Sequence, residues 1–314
     1  MKRALVFGIN GFVGAYLATE LQSHGYEVVG SDVSGTPPTG LLFNHVNLLD
    51  ANGVVSIVET VQPEVIINLA AISSVGRSWR VPQEVVRVNI VGALNILEAA
   101  RALQNSPRVL LIGSSEEYEP SENPMDEQTP LNAGNPYGIS KIAQERFASI
   151  YRERYGVHVY CVRAFNHTGI GQSNQFVLPN WCEQVAKISA SGKPGTIEVG
   201  NLQVQRDFCD VRDIVRAYRM VLESNDCNTI YNVGSGNAVS LRELLLYIVS
   251  LSDQPVSVQV DPTLIRPLDA PLICCDHSLI TERLGWEPVH ILWDTVHEMF
   301  EFYLESACRQ TTNG

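Results

Sequence analysis

The sequence predicts an α/β protein, a doubly wound parallel sheet joined to a smaller mixed α/β unit. Three observations carry that reading: strand-like and helix-like runs alternate through the first half, the later strands are apolar without interruption, and a glycine-rich string follows the first strand directly. In order, RALVFG, FVGAYLATELQSHG, EVVGSD, VVSIVETV, EVIINLA, EVVRVNIVGALNILEAARAL and RVLLIG trade strand for helix character, the pattern of successive βαβ units. VIINLA and RVLLIG are nearly continuous in apolar residues, as strands covered on both faces must be. Gly25 closes the first helix and Asn105-Ser106-Pro107 closes a long one predicted over 84–104; a second long helix is predicted over 135–155. After residue 163 the chain loosens into Gly-, Asn- and Pro-rich loops with shorter helices near 179–191, 211–223, 240–251 and 291–305, and QTTNG reads as a frayed tail.

Composition narrows the function. With 45% hydrophobic and 18% charged residues the 314-residue chain can bury a sizeable core. A net charge of −12 argues against nucleic-acid and anionic-membrane partners, which require clustered Lys and Arg. No uncharged apolar run approaches the length of about 20 residues that spans a bilayer, and no signal peptide is read, so a cytoplasmic protein is expected. The seven cysteines (161, 182, 209, 227, 274, 275 and 308) are scattered without a C-x-x-C, which fits a reducing compartment; no metal site is predicted. Adjacent Cys274 and Cys275 are read as buried thiols, with a redox pair as the alternative.

Gly8-Ile9-Asn10-Gly11-Phe12-Val13-Gly14 leaves the first strand and opens the first helix, the context in which glycines let backbone approach a pyrophosphate at a helix N-terminus. Asp32 ends the second strand, where a carboxylate accepts the adenosine ribose hydroxyls and repels a 2′-phosphate. No Arg follows in Val33-Ser34-Gly35, so NAD(H) is predicted over NADP(H). The division expected is a Rossmann-like NAD-binding unit of 1–163 plus about 199–233, and a ligand-binding unit of about 164–198 plus 234–314.

Tyr137-Gly-Ile-Ser-Lys141 is a YxxxK pair on the second long helix, where positions i and i+4 share a face. Gly113-Ser114-Ser115-Glu116-Glu117-Tyr118 precedes it, directly after an apolar strand. Reduction of a carbonyl puts negative charge on oxygen, so it needs a proton donor and a hydrogen-bonding partner there. A phenol titrates near 10, too high to shuttle protons near neutrality, and an ammonium at about 4 Å would lower it by about 3 units.

With the GxxGxxG spacing, the Ser and the YxxxK in order, the chain resembles the extended short-chain dehydrogenases/reductases, the NAD-dependent epimerase/dehydratase family. That resemblance spans nearly the whole chain and implies catalytic roles for Ser114, Tyr137 and Lys141, the Lys also holding the nicotinamide ribose. It also implies cofactor contacts from Leu69, Ala70 and Ala71 in Asn68-Leu-Ala-Ala71, although His is commoner than Asn at the first position. Asn47-Leu48 sits where the family often has Asp-Leu near the adenine. GSSEEY, NPYGISK, RAFNHTGIGQ, VGNLQVQRDFCDVRDIVRAY and LIRP are most similar to the branch that reduces GDP-4-keto-6-deoxy-D-mannose to GDP-D-rhamnose.

By the same resemblance Asn166, Phe176, Val177, Arg206 and Arg266 are sugar-nucleotide contacts, the two guanidinium forks suiting a diphosphate. Surface or ion-pair roles near Asp207 and Asp269 are the alternative for the two Arg. Ser74, Arg77 and Trp79 could cover the hexose, Trp79 equally being plain packing. Glu116 resembles the base of GDP-mannose 4,6-dehydratase, so a dehydratase or epimerase that recycles its bound cofactor stands as the second reading, and a non-catalytic nucleotide sensor as a minor third. The two long helices carry more apolar residues than one face on a sheet needs, and by the same resemblance they would join a homodimer through a four-helix bundle.

Overall fold

The computed structural model describes residues 2–36, 40–265 and 270–312. Seven strands make the large sheet: β1 (Lys2–Phe7), β2 (Tyr26–Asp32), β3 (Leu42–His45), β4 (Val65–Asn68), β5 (Arg108–Ser114) and β6 (Val159–Ala164), with the seventh supplied late. Between them come helices α1 (Phe12–Ser23), α2 (Ala51–Val61), α3 (Val75–Arg80), α4 (Pro82–Val85), α5 (Gly92–Ala102) and α6 (Pro136–Tyr155). The rest comprises β7 (Asn166–Thr168), α7 (Val177–Ser191), β8 (Gly195–Val199), β9 (Gln205–Asp210), α8 (Val211–Glu223), β10 (Ile230–Val233), β11 (Ala238–Ser240), α9 (Leu241–Ser250), β12 (Val256–Val260), β13 (Leu272–Ile273), α10 (Ser278–Leu284) and α11 (Leu292–Thr312).

The large sheet runs β10-β6-β5-β4-β1-β2-β3 with every pairing parallel, so the order reverses between β1 and β4, where a doubly wound sheet opens its binding crevice. Two apolar layers cover its faces. On one, Leu17 and Leu21 of α1 meet Ile214, Tyr218 and Val221 of α8; on the other, Val54 and Val58 of α2 meet Ile96, Leu97 and Tyr151 of α5 and α6. This two-sided burial explains the uninterrupted apolar strands. A separate core, built on Trp181, Val185, Leu244 and Phe300, joins α7, α9 and α11.

Strand β9 pairs with β7, β11 and β13 outside the large sheet, whereas α8 and β10, which follow it, return to that sheet. Ile280 and Trp286, from the C-terminal stretch, also pack under the large sheet. Where a continuous helix is predicted over 84–104, the chain forms α4, a π-helical stretch over Val86–Val91 and α5. The wider turn carries Asn89 fully inward, where its amide exchanges hydrogen bonds with the Ile72 backbone at 2.8 and 3.2 Å and donates to Ser140 Oγ at 2.9 Å. Phe176 and Val177 fall at the start of α7, which begins ahead of the predicted 179 because Pro179 is tolerated in a first turn.

Candidate active site

The glycine turn is shaped by contact distances. Gly8 has φ +80°, and a Cβ on it would lie 2.6 Å from Ala70 N; a Cβ on Gly14 would lie 2.0 Å from Ile9 O. Both positions therefore exclude any side chain, and β1 passes directly against the Leu69–Ala70 turn that follows β4. Gly11 precedes α1 without a side-chain cap, so the first amides of the helix, over Phe12 and Val13, meet no competing hydroxyl or carboxylate. Asp32 is fixed beside this turn: Oδ2 accepts from Asn10 N at 3.1 Å and Oδ1 from Val33 N at 2.8 Å. Asn10 gives Nδ2 to Ser34 O, while its buried Oδ1 finds no partner among the described residues. A glycine cradle, uncapped amides, an anchored carboxylate and an orphaned acceptor together fit a dinucleotide.

The half-buried Leu69, Ala70 and Ala71 border the cradle. Leu69 N donates to Phe7 O at 2.9 Å and Ala70 N to Asn68 Oδ1 at 3.1 Å, which gives the Asn in place of the commoner His a role in shaping the turn. Asn47 is exposed, its Oδ1 accepting from Leu49 N at 3.0 Å; Leu48 is buried, and its carbonyl accepts from Asn95 Nδ2 at 2.7 Å.

Ser114 ends β5 and Tyr137 lies in the first turn of α6, and the structure brings their side chains near each other. Two devices hold the elements together. Asn135 caps α6 by accepting from Gly138 N at 2.9 Å and donates Nδ2 to Glu116 Oε2 at 2.8 Å. A Cβ on Gly138 would lie 2.1 Å from Glu116 O, so only glycine lets the helix seat against the turn. Lys141 is buried on the same helix, Nζ donating to Ile112 O at 2.7 Å and lying 5.8 Å from the Tyr137 ring centroid.

The electrostatics correct the expectation of a phenol lowered by Lys141. Burial, with the carboxyls of Glu117 and Glu116 beside it, holds the Tyr137 phenol well above the ordinary tyrosine range; the nearby Ser114 hydroxyl opposes this. Burial pushes Lys141 down to about 8, opposed by Glu117. Two acidic neighbours and a dry setting thus outweigh an ammonium turned onto a backbone carbonyl.

Glu117 is the functional candidate that the sequence reading missed. It is fully buried; Oε1 accepts from Ser114 N at 2.7 Å in a reciprocal cap of the 3₁₀ turn Ser115–Glu117, and Oε2 has no hydrogen-bond partner among the described residues. Burial, with the Glu145 carboxylate nearby, raises it to about 8. Only its place three residues after a strand-end Ser could have hinted at this, as a capping box. Tyr118, by contrast, is spent structurally: its hydroxyl donates to Asn232 Oδ1 at 2.6 Å and accepts from Arg163.

Asn166 of β7 is half-buried, and its Nδ2 is enclosed without a partner among the described residues. Phe176 is partly exposed at the N-cap of α7 and Val177 begins the helix. Arg206 is buried and donates to the carbonyls of Gln205 at 2.8 Å and Ala270 at 2.7 Å, so it is no surface arginine. Arg266 lies outside the described residues. Ser74 caps α3 by accepting from Arg77 N at 3.2 Å, Arg77 is exposed and faces Glu84 at 3.5 Å, and Trp79 is 54% exposed, which excludes core packing within this chain. Phe12 stacks on His167 with centroids 6.2 Å apart, and Tyr16 donates to Ile170 O at 2.9 Å, so α1 touches the loop after β7.

Comparison with known proteins gives the chain its family. The chain is similar to GDP-6-deoxy-D-mannose reductase of Pseudomonas aeruginosa, 29% identical over 291 residues that cover 91% of this chain and 92% of the relative. It is also similar to GDP-mannose 4,6-dehydratase of Yersinia enterocolitica, 27% identical, with 98% and 95% covered. Among solved structures, RMD from Pseudomonas aeruginosa complexed with NADPH superposes with a TM-score of 0.86 at 26% identity, covering 98% of this chain and all of that one. The profile of the family described as GDP-mannose 4,6 dehydratase matches residues 5–299, and the chain belongs to that family.

Proposed function

We propose that the chain reduces the 4-keto group of GDP-4-keto-6-deoxy-D-mannose, forming GDP-D-rhamnose with NADH as reductant. The family and its relatives support a nicotinamide-dependent enzyme of nucleotide-sugar chemistry; the choice of reductase rests on one observation of length. The reductase alignment needs 291 positions, whereas that with the Yersinia dehydratase runs over 355, more than the 314 residues of this chain, so the dehydratase carries insertions that this chain lacks.

Bound NADH would supply the hydride. The glycine cradle and Asp32 hold its adenosine half, Tyr137 delivers a proton to the substrate oxygen, Ser114 orients that oxygen through its hydroxyl, and Lys141 supplies positive charge beside them. The orphaned Asn166 amide, Phe176, Val177 and Arg206, with Ser74 and Arg77 at the rim, hold the sugar nucleotide, and Arg266, outside the described residues, is assigned to it by the family resemblance alone. In this reading the large sheet carries the cofactor, and the segments around β7, α7 and β9 carry the sugar nucleotide. A second copy of the chain packs on α5 and α6, whose flank exposes Val91, Ile139 and Ile150, to form a cytoplasmic homodimer.

The second reading is a dehydratase, in which Glu116, held by Asn135 near Tyr137, would be the base; the presence of this Glu suits either enzyme. Redox stoichiometry separates the two. With GDP-4-keto-6-deoxymannose, NADH absorbance should fall in proportion to substrate, and deuterium from labelled NADH should appear at the reduced carbon. Formation of the keto sugar from GDP-mannose without net NADH change would assign the dehydratase and make Glu116 the base at C5.

A further inference from the structure

The Ser114–Tyr137–Lys141 group stands on a second, hidden layer of charge. In a strand, the carbonyl of one residue and the amide two positions on point to the same edge. Ile112 O and Ser114 N are such a pair, and they lie beyond Leu111, the last residue of β5 to pair with β4. Lys141 Nζ takes the carbonyl and Glu117 Oε1 takes the amide. Gly113 between them is what admits the carboxyl, since a Cβ there would lie 2.4 Å from Glu117 Oε1. An ammonium and a carboxyl are thereby anchored on neighbouring groups of one strand edge in the dry interior, close enough to feel each other's charge without a direct ion-pair contact, and each with spare hydrogen-bonding capacity. We propose, resting on the role given above to Lys141, that Glu117 is its buried counter-ion: a positioning residue whose carboxylate keeps the proton on Lys141.

The other charges around the pair are already committed. Glu145, one turn on from Lys141, is gripped by Arg163 through two hydrogen bonds of 2.9 and 2.7 Å. Glu116 is held by Asn135. Cys161, which faces Lys141 from β6, is kept protonated by burial, as is the Tyr137 phenol. Glu117 is thus the acidic neighbour of Lys141 that no guanidinium grips, although Arg163, held on Glu145, also favours its charge. Burial drives the carboxyl up and the amine down, and each raises the other's preference for charge. As pH rises Glu117 ionises, and its charge then resists loss of the Lys141 proton, with Tyr137 held protonated in the same direction. The pair extends the working range of the site on the alkaline side.

Glu117→Gln tests this, because the amide oxygen can still accept from Ser114 N while the charge is gone. The alkaline limb of the kcat/KM profile should move to lower pH by about 1 unit or more. An unmoved limb in a folded Gln variant means that Glu117 only caps its turn, and the proposal falls. A second measurement needs neither cofactor nor substrate. At about pH 8.5, Glu117→Gln, Lys141→Met and the double variant form a cycle of melting temperatures. Each single change should strand a buried charge, and the double should be more stable than the sum of the singles predicts by about 5 °C or more. Additive losses would overturn the pairing, whatever the substrate proves to be. A coupled cycle with no activity on the keto sugar would keep the pairing and reject only the substrate.

Discussion

Asn135 holds Glu116 with one end of its amide and caps α6 with the other, so the turn after β5 and the first turn of the helix bearing Tyr137 and Lys141 move as one piece. Loss of such a cap costs about 1 kcal/mol, and a protein of this size loses about 2 °C in melting temperature for each kcal/mol. Asn135→Ala should therefore melt slightly earlier while turnover falls by a larger factor than stability alone explains. Gly138→Ala, which forces a methyl onto Glu116 O, should be worse on both counts. Calorimetry with steady-state kinetics checks this; wild-type turnover in Asn135→Ala would show that the clamp does not align Tyr137.

Tyr137→Phe removes the proposed proton donor and keeps the ring. Turnover should fall about 100-fold or more, with NADH affinity nearly unchanged, whereas Lys141→Ala should weaken both. Since Tyr118 is tied up between Asn232 and Arg163, a Phe variant that kept most of its rate would point to Glu116 as the donor.

Asp32, anchored by the amides of Asn10 and Val33, should make NADH bind more tightly than NADPH, and Asp32→Ser should narrow the gap. Titration calorimetry with both cofactors reads this directly. The comparison is a demanding one, because the similar Pseudomonas aeruginosa structure is complexed with NADPH. Equal affinities in the wild type would count against Asp32 as the ribose acceptor.

His167, stacked on Phe12, is lowered from the ordinary 6.5 by burial. Below that value the unfolded chain takes up a proton that the folded one refuses, so this residue makes stability fall as pH drops. The melting temperature of His167→Gln relative to wild type should rise between about pH 7 and pH 5. A difference that stays constant over that interval would mean that His167 titrates alike in both states.

The cradle and the YxxxK pair were legible because their geometry is local: glycines beside a strand end, and two side chains one helical turn apart. What holds them is distant in sequence. Asn89 links Ile72, 17 positions away, with Ser140, 51 away, and Lys141 reaches Ile112 across 29. No periodicity announces such contacts, and Asn89 was hidden further by a π-helical stretch that an amphipathic pattern cannot distinguish from regular helix. The phenol expectation failed for a related reason. Tyr137 and Lys141 are neighbours by spacing, but the burial that dominates the phenol is a product of the whole fold, and the carboxyls that add to it arrive from a separate turn. Asp32 could be read, since the length from cradle to second strand end is nearly fixed by one helix and one turn.

The order of the large sheet also records a history of assembly. Strand β1 is made first and ends up inside; β2 then adds to one flank and β3 to the outside of β2, while β4, β5, β6 and β10 add successively to the opposite flank. Every new strand therefore meets a partner that has already left the ribosome, and none must be inserted between two strands already joined. Only β10 arrives after a long interval, during which β7 to β9 and α8 emerge. Until it docks, β6 presents an open edge, and Arg163, which grips Glu145 behind the reacting group, sits on that edge strand. A ribosome-bound fragment ending before β10 should therefore carry the cradle while the strand that bears Arg163 is still open on its outer edge.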